Sequence, residues 1–182
     1  AITTNADRTL KRSARRNLQR FKLRRENLLT LLKEHGFITD ETVLCEQGNR
    51  TTFETRQLRA RAVSEEITLE QLARVLLMIN KKRGYKSSRK ADSSEDGKLI
   101  DGMSVARQLY EQHLTPGQYV LNLLRKGKKY LPDFYPSDLT AELEAVWHAQ
   151  QAYYPELLTQ DLFDALKNKN EKQTWAICAQ SF

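Results

Sequence analysis

Not one acidic residue interrupts the stretch from Arg8 to Arg25, although the chain as a whole carries 23 Asp and Glu. Other scarcities narrow the possibilities. Only seven glycines are present, and none belongs to a phosphate-cradling loop of the P-loop or dinucleotide type. The two cysteines, Cys45 and Cys178, stand far apart and form no CxxC pair. They read as reduced cytosolic residues or as small buried hydrophobes rather than as a disulfide framework. The three histidines, His35, His113 and His148, make no H-x-x-x-H motif, which removes the common zinc arrangements and leaves surface or packing roles. Glu142 and Glu144 flank Leu143 and point to different parts of their helix, so they form no catalytic dyad. No apolar run approaches the roughly 18 residues of a membrane span. The chain opens on Ala rather than Met, as a processed chain or an excised piece would.

What stands in the acid-free stretch is a stack of cations. RTLKRSARRNLQRFKLRR, residues 8–25, holds nine Lys or Arg, and arginines recur every fourth residue at Arg8, Arg12, Arg16, Arg20 and Arg24. The whole chain has a net charge of +7, so the remainder is close to balanced and the basicity is local. The pattern predicts a helix. At about 100° per residue, Leu10, Ala14, Leu18, Phe21, Leu28 and Leu32 fall on one side, and the arginines fan over the other. No Gly or Pro occurs from Ala6 to His35; Asn5 is the expected N-cap, Asp7 suits the first turn, and Gly36 is the expected stop. A helix of about 28 residues would be roughly 40 Å long. Steps of four overshoot a turn by about 40°, so the guanidinium stripe winds around the rod. Such a helix repels itself unless an outside anion completes it, and arginine's fork binds phosphate oxygens in pairs. A solvated face is the plainer alternative. A membrane-surface or calmodulin-binding helix is a further one, although those ligands usually use heavier aromatic anchors.

Beyond this helix the pattern stays helical, with no sustained strand period and no internal repeat. Residues 39–54 read as a polar connector, and Thr55–Ser64 as a short helix. Thr68 caps Leu69–Lys82 with Gln71 completing a capping box, and Leu72, Val75, Leu76 and Ile79 face inward. Residues 91–98 read as a loop and Met103–His113 as an amphipathic helix. Thr115-Pro116 starts another helix, to about Lys126, and residues 127–136 form a loop. Ser137 is expected to cap a helix through Ala152, with Leu139, Leu143, Val146 and Trp147 inward. Thr159 starts a last helix, about 160–168. The predicted fold class is all-α: a long arginine-rich helix over 1–38, then an irregular helical domain over 39–182. A second basic segment, KKRGYKSSRK (81–90), joins six cations to one Tyr without an acid. Cations at a helix end beside an exposed aromatic can grip phosphates and stack on a base.

Together the two basic segments carry a resemblance. LKRSARRNLQRFKLRRENLLTLL (10–32) resembles the bridge helix of the RNA-guided endonucleases of type II CRISPR systems. LRARAVSEEITLEQLARVLLMINKKRGYKSSRK (58–90) resembles the opening of their helical recognition lobe. TPGQYVLNLL (115–124) and DLTAELEAVWHAQ (138–150) are similar to later recognition-lobe helices of the compact enzymes. The resemblance implies that Arg12, Arg16, Arg20 and Arg24 hold the backbone of the guide seed and that Arg15 touches the guide scaffold. Arg8 and Arg25 complete the candidate RNA-binding set of this helix. It further implies guide contacts from Lys81, Lys82 and Arg83, with Tyr85, Lys86 and Arg89 following in the same segment.

The implied partners are guide RNA (CRISPR RNA and trans-activating RNA) and the target DNA strand in the heteroduplex, with an acidic inhibitor protein as an alternative occupant. No membrane is implied, and the expected setting is the prokaryotic cytoplasm. Two departures are visible. Phe21 stands where some relatives have a further basic residue, and Pro136 stands where relatives often carry Arg. Neither nuclease signature is present: there is no D-x-G-x-x-S start and no HNH-type His with its partners. The expectation is a non-catalytic stretch with no cofactor, Mg2+ being implied only for nuclease domains.

Overall fold

In the computed structural model, described over residues 2–44, 50–81 and 102–168, the chain is all-α. The described residues form seven helices and no strand: α1 Asn5–Glu34, α2 Arg50–Arg61, α3 Leu69–Asn80, α4 Gly102–Gln112, α5 Pro116–Arg125, α6 Pro136–Gln151 and α7 Gln160–Asn168. None of them is long and apolar enough to cross a membrane. The chain divides into two compact units, Ala1–Asp40 with Thr159–Phe182, and Glu41–Leu158.

The first unit is built on α1. Its N-cap is Thr4 rather than Asn5. The Thr4 hydroxyl accepts from the Asp7 backbone N–H, and the Asp7 carboxylate accepts from the Thr4 backbone N–H at 3.1 Å, a complete capping box. Asn5 lacks the partner three residues on that Thr4 finds in Asp7. The helix stops where Gly36 turns left-handed at φ +77°. There the Phe37 N–H reaches Leu32 O at 3.0 Å and the Gly36 N–H reaches Lys33 O at 3.2 Å. This Schellman ending needs a residue without Cβ strain at that position. The buried apolar side chains among the described residues of this unit are Leu28, Leu31, Leu32, Phe37 and Ile38 with Leu162, Phe163 and Leu166 of α7. Lys33 and Asp40 form an ion pair at 2.9 Å.

The second unit is a ring of four helices: α2 packs on α3 and α5, and α6 packs on the same two. Three polar side chains bind the ring. Glu142 of α6 is 1% exposed and accepts from Arg59 Nε at 2.7 Å and Nη2 at 2.6 Å, and from the Gly117 N–H at 3.0 Å. One carboxylate thus ties α2, α5 and α6, and its charge also sits at the positive end of α5. Gly117 is required there. A Cβ would lie 2.7 Å from both Arg59 Cγ and Glu142 Oε1. Further along α6, Gln150 donates to Ala62 O and Glu65 O, each at 2.7 Å, and accepts from the Ile67 N–H at 3.2 Å. Tyr154 donates to Ile67 O. The α2–α3 turn is held by side chains 83 or more residues away.

An apolar layer of Val105, Leu109, Tyr119, Val120 and Phe134 joins α4, α5 and the segment before α6, with Tyr119 and Phe134 edge to face at 6.3 Å.

Several boundaries differ from expectation. α2 runs Arg50–Arg61 rather than Thr55–Ser64, because Gln150 holds the carbonyls of Ala62 and Glu65 in a turn and nothing breaks the pattern before Thr55. α6 is not capped by Ser137. It begins at Pro136 after Tyr135, which makes no side-chain cap bond; proline at the first position simply lacks one of the orphan donors. The boxes at Thr68–Gln71 and Thr115–Gln118 form, the former as read from the sequence. The segments 82–90 and 91–98, with Cys45, Cys178 and Trp175, lie outside the described residues.

Candidate nucleic-acid interface

The arginine helix presents its cations in a graded way. Arg8, Lys11, Arg12, Arg15 and Arg16 are exposed, Arg20 and Arg25 are half-buried, and Arg24 is buried at 7% exposure. The four-residue step explains the gradient. Each step overshoots by about 40°, so the stripe turns roughly 160° between Arg8 and Arg24. It starts opposite the face that buries Leu28, Leu31 and Leu32 and arrives on that face at Arg24. Along the axis, Arg8 to Arg20 spans about 18 Å. Arg8, Lys11, Arg12, Arg15 and Arg25 make no ion pair among the described residues, whereas Lys22 pairs with Glu26 at 3.9 Å.

The apolar side of α1 is covered only in its second half. Leu28 and Leu32 are buried as expected, but Leu10 is 71% and Leu18 69% exposed: among the described residues of the unit, no element covers residues 2–19. Every residue from Ile2 to Gln19 is exposed.

Of the second basic segment, Lys81 is exposed at the end of α3. Lys82, Arg83, Tyr85, Lys86 and Arg89 lie outside the described residues. On α2, Arg56 is half-buried. Burial, and secondarily the charge of Arg59, pull its guanidinium below its ordinary value. His35, His113 and His148 are all exposed.

One cluster is not singled out in the sequence, where it reads as a helix end and the start of a loop. Arg125, Lys126, Lys128, Lys129 and Tyr130 are all exposed, and none of the four cations makes an ion pair among the described residues. Their backbone is fixed. Gly127 turns left-handed at φ +74°, and the Lys128 N–H bonds Leu123 O at 3.0 Å. Beyond them Pro132 and Phe134 are buried. The signal was available: residues 125–130, RKGKKY, hold four cations, one aromatic and no acid.

No protein-family model matches the chain. It is similar to the CRISPR-associated endonuclease Cas9 of Campylobacter jejuni, with 26% identity over 172 residues, covering 91% of this chain and 17% of that protein. Its fold is similar to that of St1Cas9 in a dimeric assembly with sgRNA, tDNA20 and AcrIIA6, at a TM-score of 0.71 and 22% identity over 95% of this chain and 22% of the other. It is also similar to Campylobacter jejuni Cas9 in complex with sgRNA and target DNA, at a TM-score of 0.67 and 19% identity over 95% of this chain and 25% of the other. The chain thus spans about a fifth of the length of the proteins it matches. In sequence and in fold, the chain is similar over nearly its whole length to one stretch of the CRISPR-associated endonuclease Cas9.

Proposed function

We propose that this chain is a guide-binding segment of an RNA-guided CRISPR DNA endonuclease acting in antiviral defence. α1 serves as the bridge helix, and the helical remainder serves as part of the recognition lobe. The observation that carries the reading is the exposed, acid-free guanidinium face of α1, in a chain similar to proteins whose complexes contain sgRNA and target DNA. Arg8, Arg12, Arg15, Arg16 and Arg20 hold guide phosphates along one winding track. Lys81, with the basic segment that follows it, and the cations of residues 125–129 add backbone contacts to the guide or its heteroduplex with target DNA. Backbone charge and duplex shape position the nucleic acid, and base pairing reads its sequence, as in RNA-guided recognition generally. The segment contributes binding and no bond breaking.

A salt titration of guide-RNA binding tests this. The log–log slope is expected to be steep, and to become shallower by about one for each of Arg12, Arg16 and Arg20 replaced by Ala. Arg24→Ala, at a buried position, is expected to lower stability and leave the slope unchanged. A slope near zero for the unaltered chain would refute the reading.

A further inference from the structure

Helix α1 is built from two parts of unequal support. Residues 24–34 contribute Arg24, Leu28, Leu31 and Leu32 to buried positions, and the Schellman turn closes that end. Residues 5–19 bury nothing. Every residue from Ile2 to Gln19 is exposed, Leu10 and Leu18 included. A helix of about 15 residues standing alone in water is marginal even with favourable composition. This one places like charges at i, i+4 three times over, at Arg8–Arg12, Lys11–Arg15 and Arg12–Arg16, an arrangement that weakens a helix. The Thr4–Asp7 capping box supports its first turn alone. The first half-buried residues are Arg20 and Phe21, so the division falls there.

We infer that residues 5–19 of α1 fold on binding: a bound polyanion, here the guide-RNA backbone, supplies the stability that the rest of the chain does not. The inference rests on the RNA-binding reading above and adds regulation to the same site. Local opening follows the distribution of buried contacts, and here that distribution is one-sided. In the free chain the arginine track is largely unformed, and part of the binding free energy orders it. The affinity then depends on helix propensity at uncharged positions as well as on the cations. Ser13 and Asn17 are such positions, about 100° and 140° around the helix from Arg12.

Hydrogen exchange on the full chain, free and with a labelled guide RNA, tests the inference. Amides of residues 9–19 are expected to exchange at nearly unprotected rates in the free chain, while those of 28–34 are protected. RNA should raise protection in 9–19 and leave 28–34 unchanged. Replacing both Ser13→Ala and Asn17→Ala raises propensity without altering charge, so RNA binding should tighten roughly fivefold at an unchanged salt slope. Protection of 9–19 equal to that of 28–34 without RNA would overturn the inference, as would a double variant that binds no more tightly. Either result leaves the RNA-binding reading standing. A flat isotherm with guide RNA overturns both, so the two failures are distinguishable.

Discussion

Glu142→Ala is the perturbation that should damage the second unit most. The carboxylate is 1% exposed and Arg59 8% exposed, so removal leaves a guanidinium charge in a site closed to water. Three donors lose their acceptor at once, two on Arg59 and one on the Gly117 backbone. Breaking a buried pair from one side costs about 3–5 kcal/mol. At about 2–4 °C per kcal/mol for a chain of this length, the melting temperature should fall by roughly 6–20 °C. The double variant Arg59→Met with Glu142→Leu separates the uncompensated charge from the rest of the loss. It removes both charges at similar volume, so only the Gly117 N–H stays unpaired, at about 1–3 kcal/mol. Thermal unfolding followed by circular dichroism should therefore rank native, then double, then single variant. A single variant within 1 kcal/mol of the native chain, or a double variant less stable than the single one, would refute the assignment of the Arg59–Glu142 pair as the tie between α2, α5 and α6.

Gly117→Ala should destabilise by about 1–3 kcal/mol in urea titrations, because its Cβ would meet Arg59 Cγ and Glu142 Oε1 at 2.7 Å. Gln150→Leu keeps most of the volume but strands the Ile67 N–H and the carbonyls of Ala62 and Glu65. A loss of about 3 kcal/mol or more is expected, with raised hydrogen exchange at residues 62–67 as the local readout. The Asp7 carboxyl is held below its ordinary value, first by the Thr4 hydroxyl and then by the Thr4 backbone N–H. Its contribution to the first turn of α1 is therefore fully present above the unfolded value of about 4 and is lost as pH falls through the lower folded value. In the RNA-bound chain, where that turn is formed, amide shifts of residues 5–9 should report the titration, and Asp7→Asn should abolish it.

Much of this architecture was legible in the chain because its signals are local. Capping at Thr68, the Thr115-Pro116 start and the Gly36 stop each depend on residues within one turn, and such signals survive any tertiary context. The parts that were not legible depend on partners far away in sequence. From the sequence, Glu142 is weighed only as half of a dyad with Glu144; its partners are 83 and 25 residues distant. Gln150 likewise overrode the expected end of α2 through turn carbonyls that no periodicity reveals.

The arginine track lies between these cases. Its winding follows from a spacing of four against 3.6 residues per turn, and so does the withdrawal of Arg24, once Leu28, Leu31 and Leu32 define the buried face. What the spacing could not reveal is where cover ends. A periodic apolar row predicts burial only where another element is present to receive it, and among the described residues none covers Leu10 or Leu18. The same row therefore reads as core in its second half and as exposed surface in its first. That asymmetry leaves Arg8, Lys11, Arg12 and Arg15 exposed, on the half of the helix that buries none of its apolar row.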